Sequence, residues 1–288
     1  MHTESSITAG SMMEAWLPVS SIRGDVKTTQ SDRRSANPRV SIVVPALNEA
    51  RNLEIILPRL PKVHEVIVVD GDSTDDSEAV VRAILPEAKF VRQTRRGKGN
   101  ALAVGFAAVT GDIVVMFDAD GSADPAEISR YVDALLAGAD FAKGSRYLAG
   151  GGSADITPLR SFGNKGLSRT ANLLFGTRYS DLCYGYNAFW VDILPLLQLP
   201  AISILEPQWG DGFEIETVIN TRVAANDLVV TEVASYELDR IHGKSNLRTF
   251  RDGYRVLRAL VSERNALRRE RGQDPMRSNS VQATRKAA

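Results

Sequence analysis

Two aspartates one residue apart, Asp118 and Asp120, directly follow the apolar run Ile113-Val114-Val115-Met116-Phe117. In extended chain, residues i and i+2 point to the same side, so the spacing predicts two carboxylates that repel each other unless a cation sits between them. A hard divalent ion with oxygen ligands would relieve the repulsion and share the carboxylates with a diphosphate. Two more acidic or amide clusters follow apolar runs: Asn48-Glu49, just beyond Pro45, and Asp70-Gly71-Asp72-Ser73-Thr74-Asp75. Asp72 and Asp75 have a plainer competing role as turn formers and helix caps. In Arg96-Gly97-Lys98-Gly99-Asn100, glycine and lysine open an expected helix, a setting that favours an anion. The spacing is not that of a Walker motif.

The elements that must position these residues follow from periodicity. Short β-branched or apolar runs at 40–45, 65–70, 89–93, 112–118 and 140–144 read as strands. Helical candidates lie between them at 50–60, 74–85, 98–109 and 125–137, the last with Pro125 at its first position after Asp124 as cap. Strand alternating with helix implies an α/β fold, a Rossmann-like, mostly parallel sheet flanked by helices. Ligands of such sheets sit at the carboxyl ends of the strands, where the three acidic clusters would converge. Beyond a Gly-rich stretch at 150–158, the pattern predicts a basic helix over 159–175, helices over 211–225 and 245–264, and a strand over 228–236. Residues 1–38 read as a flexible leader, 39–264 as a single catalytic domain, and 265–288 as a basic disordered tail.

Composition bounds the function. Of 288 residues, 43% are hydrophobic and 24% charged, as in an ordinary globular protein. Lys plus Arg and Asp plus Glu both number 35, so no net charge draws the chain to nucleic acid. A single cysteine, Cys183, excludes a disulfide framework or a Cys-rich zinc cage. The three histidines are scattered, and only His242 is a candidate for touching a donor. The richest apolar stretch, 193–205, is interrupted by Pro195 and Pro200 and is too short to span a bilayer; it reads as core before membrane surface. Glu4 and Glu14 interrupt any signal-peptide pattern. The expectation is a cytoplasmic protein with no transmembrane span, at most in peripheral contact with the inner face of the membrane, where anionic lipid would attract its basic tail.

The motifs Pro45-x-x-Asn48-Glu49, Val69-Asp70-x-x-Ser73-Thr74-Asp75, Gly97-Lys98-Gly99, Asp118-x-Asp120 and Gly144-Ser145-Arg146-Tyr147 occur in an order that resembles glycosyltransferase family 2, over residues 40 to 258. Asn172-Leu173-Leu174, Asp181-x-x-x-Gly185-Tyr186-x-Ala188-Phe189 and Arg240-x-x-Gly243-x-Ser245 look most like the dolichyl- or polyprenyl-phosphate sugar transferases of that family. The resemblance implies the GT-A fold and a metal-dependent, inverting hexosyltransferase. Its donor would be a nucleoside-diphosphate sugar of the GDP-mannose or UDP-glucose type, and its acceptor a polyprenyl phosphate. Pro45, Asn48 and Glu49 would line the nucleotide pocket, Asp70 would recognise the base, and Lys98 would lie beside the nucleotide. Asp118 and Asp120 would hold Mg²⁺ or Mn²⁺ on the donor diphosphate. Arg146, Arg160 and Arg240 would face the transferred group and the acceptor phosphate.

Three departures from the family pattern stand out. Asp70-Gly71-Asp72 replaces Asp-Asp-Gly, Tyr184 and Asn187 replace Ser and Arg, and Lys244 precedes Ser245 instead of following it. The alternative is the same donor chemistry onto a saccharide or small soluble acceptor. A phosphate acceptor arrives as an anion and needs positioning, whereas a hydroxyl needs a carboxylate base. Asp211 and Glu214 are the candidates for that base, against an ordinary role at a helix start. The residues expected to act directly in transfer are therefore Asp120, Arg146 and Asp211.

Overall fold

The computed structural model describes residues 34–243 and 249–273. Most of the expected leader, 1–33, the end of the expected tail, 274–288, and residues 244–248 with Lys244 and Ser245 lie outside the described residues. From Ser35 to Gln273 the chain forms one compact unit.

Four strands and three helices alternate as the periodicity requires: β1 (Val40–Ala46), α1 (Ala50–Ile56), β2 (Glu65–Asp70), α2 (Ser77–Ile84), β3 (Lys89–Arg92), α3 (Lys98–Ala107) and β4 (Ile113–Met116). They are followed by α4 (Ile128–Leu136), β5 (Phe141–Ser145), β6 (Gly152–Ser153), α5 (Pro158–Phe175), β7 (Asn187–Trp190), α6 (Leu194–Leu197), α7 (Ile215–Ala225), β8 (Val230–Ala234), β9 (Tyr236–Glu237) and α8 (Thr249–Gln273). The described strands build a seven-stranded sheet ordered β3-β2-β1-β4-β7-β5-β8, with β6 and β9 paired separately. β1 runs parallel to β2 and β4, and β5 parallel to β8. β7 runs antiparallel to both its neighbours, β4 and β5.

Alternating side chains divide each strand between two cores. Ile42 and Val44 of β1 join Val66 and Val68 of β2 against Leu53 and Ile56 of α1 and Tyr131 and Leu135 of α4. Val43, Ile67 and Val69 face the other way, toward Leu102 and Phe106 of α3 and Ile215 and Ile219 of α7. A third cluster joins α5 to α8 through Ala171, Leu182, Val256 and Leu260.

Several expected boundaries move. The strand expected over 112–118 stops at Met116, because Asp120 folds back to accept the Ser122 amide (3.0 Å) and hydroxyl (2.7 Å) in a turn. Asp120 thus sits on a turn, and Asp118 lies just past the end of the strand. β7 is a strand that periodicity does not reveal: it has four residues, opens on Asn187, and is buried on both faces. The helix expected from 211 starts at Ile215, since Asp211 is drawn into a side-chain ion pair. α8 runs to Gln273, past the end expected at 264 and into the expected tail. The 193–205 stretch contributes Ile193 and Leu197 to the core, both fully buried.

The amino edge of the sheet is tied together by Glu65. Its carboxylate accepts hydrogen bonds from the Ser41 hydroxyl (2.6 Å) and the Thr110 amide (2.6 Å), and it pairs with Lys89 at 2.6 Å. Burial pushes this carboxyl up, but bonds from Lys89, Ser41 and Thr110 outweigh burial and hold it at about 2. A depressed carboxyl stabilises the fold above its unfolded value of about 4.3, and that contribution is lost as pH falls through the folded value. Glu65→Gln is therefore expected to lower stability at neutral pH and to leave little difference from the parent near about pH 2. Urea titrations across that range check it.

Candidate functional site

The carboxyl ends of β1, β2 and β4 open onto a cleft of about 680 Å³, within the usual size of a small-molecule site. Its wall includes Pro45 and Glu49 beyond β1, Gly71 beyond β2, Lys98 at the start of α3, and Asp118 and Asp120 beyond β4. Arg146, Arg160 and Arg240 complete it from the C-terminal half. Among the expected site residues, Asn48, Asp70, Asp211, Glu214 and His242 do not line the cleft.

Asn48 and Asp70 instead shape the loops behind it. Asn48 adopts a left-handed φ of 56°, donates its amide to Ser73 Oγ at 2.8 Å and accepts the Thr74 amide at 2.8 Å. Asp70 accepts the Ser73 amide at 3.3 Å on both carboxylate oxygens. Asp75 accepts the Ala50 amide at 3.0 Å and the Ser77 hydroxyl at 2.5 Å, the capping role its type suggested. These bonds lock the first two strand ends to each other.

Asp211 is corrected more sharply. Its carboxylate forms a bidentate pair with Arg95, both contacts at 2.8 Å, and also accepts the Gln208 amide at 2.7 Å. Both side chains are buried. A carboxylate so committed does not serve as a general base. The same pair explains the Gly-Lys-Gly motif. The Gly99 amide donates to the Asp211 carbonyl at 2.8 Å, so the start of α3 is not an open anion site. A Cβ on Gly99 would lie 1.7 Å from the Gly210 carbonyl oxygen, and one on Gly97, whose φ is 125°, would lie 2.0 Å from the Asp211 carbonyl oxygen. The glycines permit two backbones to touch, and Lys98 between them projects into the cleft.

There the Lys98 ammonium lies 2.7 Å from Asp118 and 2.6 Å from Glu216. Burial alone would lower its pKa, but Asp118 and Glu216 outweigh that and raise it, so Lys98 stays charged. Burial raises the carboxyl of Glu216, with Asp118 adding to the effect and Lys98 opposing it. Glu216 is a site residue that motif reading missed. The available signal was an acid in the first turn of α7, among apolar positions that pattern as buried.

Arg240 plays the matching part for Asp120. Its guanidinium bridges Glu49 at 2.9 Å and Asp120 at 2.8 Å. Arg146 reaches the cleft, yet all three of its guanidinium nitrogens are bonded. Nε and Nη2 donate to Asp181 at 2.7 and 3.0 Å, and Nη1 to Glu237 at 2.9 Å, with the plane 4.8 Å over Tyr184. Arg160 pairs with Asp155 at 2.9 Å. Cys183 lines the cleft as a protonated thiol, pushed up to about 12 by burial and by Asp181 and Glu216.

Charge balance then decides what can enter. Among the described lining residues, eight are acidic and four basic, and each of the four cations already contacts a carboxylate. A diphosphate entering alone would meet net repulsion. No group of three or more His, Cys, Asp or Glu that could hold a metal occurs among the described residues. The donor set at Asp118 and Asp120 is two hard carboxylate oxygens, which suits a divalent ion that completes its shell from phosphate and water.

Two substitutions test the Arg95–Asp211 clamp. Asp211→Asn should cost about 3–5 kcal/mol, the usual penalty for leaving one buried partner uncompensated. Gly99→Ala should cost about 1–3 kcal/mol through overpacking. Denaturant titrations read both; an unchanged midpoint for Asp211→Asn would show that the pair does not stabilise the fold.

The chain is similar to proteins of known family. The profile of Glycosyl transferase family 2 matches residues 41–195. Polyprenol monophosphomannose synthase of Mycolicibacterium smegmatis is 33% identical over 73% of this chain and 81% of its own. Undecaprenyl-phosphate mannosyltransferase of Micrococcus luteus is 30% identical over 73% of this chain and 87% of its own. Among solved structures, glucosyl-3-phosphoglycerate synthase from Mycobacterium tuberculosis, in complex with Mn²⁺, UDP-glucose and phosphoglyceric acid, superposes with a TM-score of 0.59 and 25% identity, covering 80% of this chain and 81% of that one. The chain belongs to glycosyltransferase family 2, and it is a glycosyltransferase of GT-A fold.

Proposed function

We propose that the protein transfers a hexose, with inversion, from a nucleoside-diphosphate sugar to a polyprenyl phosphate, using a divalent cation held by Asp118 and Asp120. The observation that carries the reading is the acid-rich cleft with this aspartate pair on its wall. The names of the mannosyl-transferring relatives support mannose as the transferred hexose, for which GDP-mannose is the donor expected here, and UDP-glucose is the alternative suggested by the solved relative.

When bound, Mg²⁺ or Mn²⁺ supplies Lewis-acid stabilisation of the diphosphate as the C1–O bond breaks. Lys98 and Arg240, paired with Asp118 and Asp120, lie where they would be available to phosphate oxygens if those carboxylates held a cation instead. Pro45, Glu49 and Gly71 border the nucleotide, while Asn48 and Asp70 hold the loops against which its base rests. Asp211 is tied to Arg95, and this favours an acceptor that arrives as an anion and needs no base. Arg160 and Arg240 position the acceptor phosphate for attack on C1 from the side opposite the diphosphate. Arg146, with two carboxylates on it, braces that wall.

Asp118→Asn and Asp120→Asn should each lower transfer about a hundredfold or more without altering the folded circular dichroism spectrum, consistent with loss of the main charge stabilisation. Chelation should abolish transfer, and added Mn²⁺ or Mg²⁺ should restore it. Full activity in chelator would overturn the metal role. Arg160→Ala should lose about 1.5–3 kcal/mol of transition-state stabilisation with a phosphate acceptor, with the nucleotide Kd nearly unchanged. Transfer to a sugar alcohol but not to a short-chain polyprenyl phosphate would replace this reading with the soluble-acceptor one.

A further inference from the structure

Between α5 and β7 the chain has no regular structure, yet this segment forms a floor of the cleft, which Cys183, Tyr184 and Gly185 line. Without a helix or a ladder, its buried backbone groups need partners from elsewhere, and side chains of α5, α7, β5, β7 and β8 supply them. From α5, the Ser168 hydroxyl accepts the Leu182 amide at 3.0 Å, and Asn164 Oδ1 accepts the Cys183 amide at 3.1 Å. From α7, Asn220 Nδ2 donates to the Leu182 carbonyl at 3.0 Å. Glu232 of β8 accepts the Ser180 amide at 2.8 Å. Asn187 of β7 donates to the Gly185 carbonyl at 3.2 Å. The Tyr184 carbonyl is held from β5, where the Lys143 ammonium donates to it at 3.2 Å.

Of these side chains, Lys143 alone is a cation, and it is fully buried. It does not line the cleft, and the transfer chemistry derived above makes no use of it. In the sheet register Lys143 lies beside Asn187 of β7 and Glu232 of β8, so the three side chains share one face. Burial lowers the pKa of the ammonium, against the pull of Asp181, Glu232 and Glu216. A buried charge is costly even when bonded, and an apolar side chain of similar volume would fill the same space without that cost. What the ammonium adds is its hold on the floor.

From the floor the contact passes directly to the acidic wall. A Cβ on Gly185 would lie 2.3 Å from Glu216 Oε1 and 3.2 Å from Lys98 Nζ. The backbone next to the held carbonyl therefore packs against the Glu216–Lys98 pair, whose ammonium reaches Asp118 at 2.7 Å. We propose that Lys143 is a positioning residue for transfer: from beneath the cleft it holds the Tyr184 carbonyl, and through Gly185 it fixes the Glu216–Lys98 pair that faces Asp118. The proposal rests on the reading that Asp118 and Lys98 meet the donor diphosphate. A misplaced Lys98 then costs most when charge grows on that diphosphate, as the C1–O bond breaks.

The test uses the full chain and steady-state transfer, with rates expressed per folded molecule. Lys143→Met, close to lysine in length but uncharged, should lower kcat about tenfold or more and leave the donor KM within about twofold. A side chain that only stabilised the fold would change the folded fraction and leave kcat per folded molecule alone. Lys143→Arg, which keeps a charged donor, should recover most of the lost kcat. Gly185→Ala should lower kcat through the same ion pair while Lys143 stays in place. Because both changes act along one line of contacts, Lys143→Met should cost less than about threefold more in a Gly185→Ala background. If Lys143→Met does not fold, Lys143→Gln takes its place in each comparison. Parent kcat in the uncharged variant, equal losses in the uncharged and arginine variants, or effects of the two sites that multiply each overturn the proposal. Every variant is assayed with the acceptor that the parent uses, a short-chain polyprenyl phosphate or a sugar alcohol. Failure of the polyprenyl-phosphate reading thus shows in the parent alone and leaves the comparison of variants standing.

Discussion

Carboxylates gathered at one edge of a parallel sheet repel one another, and the cleft is organised around compensating them. Asp118 and Asp120 are held in place by cations from distant parts of the chain, Lys98 from the start of α3 and Arg240 from beyond β9. Glu216 and Glu49 are the second partners of those same cations. Each compensating cation is thus shared between two acids, and the cleft keeps an excess of negative charge among its described lining residues. The proposed metal-bound diphosphate, which would bring positive charge with its phosphates, suits a site balanced this way.

Compensation works only if Lys98 is delivered to the right place, and that is the task of the Arg95–Asp211 clamp. Arg95 donates to both oxygens of Asp211 and to the Ala201 carbonyl at 2.9 Å, as well as to the Ile204 carbonyl. The guanidinium therefore ties the segment before α3 to the loops on either side of residue 205. Backbone contact through Gly97 and Gly99 follows from that closeness. The acid that motif reading would have made a base is a structural tie, and the lysine beside it is the group that meets the site.

α5 and α8 serve two environments at once. Their inner faces close the cleft and bury a small apolar cluster. Their outer faces leave large apolar side chains in water beside arginines. Buried and paired acids on α8 keep its outer face basic without altering the charge of the whole chain.

Local chemistry carried much of this outcome. β-branched runs ending in Asn48-Glu49, Asp70 and Asp118-Ala119-Asp120 determined the parallel half of the sheet and the edge where a ligand would lie, because strand formation and turn formation are short-range preferences. Thr157-Pro158 and Gly176 likewise bounded α5 through capping, with the Thr157 hydroxyl accepting the Arg160 amide at 3.3 Å and Gly176 left-handed at φ 73°. What no local pattern contains is the partner of a charge. Asp211 could face a substrate or an arginine 116 residues away, and only tertiary packing chose Arg95. Tertiary packing likewise brought Glu216 to Lys98, committed Arg146 to Asp181 and Glu237, and inserted β7 antiparallel between β4 and β5. Ion pairs and strand neighbours join positions far apart in the chain, so residue type limits the choices and the three-dimensional fold makes them.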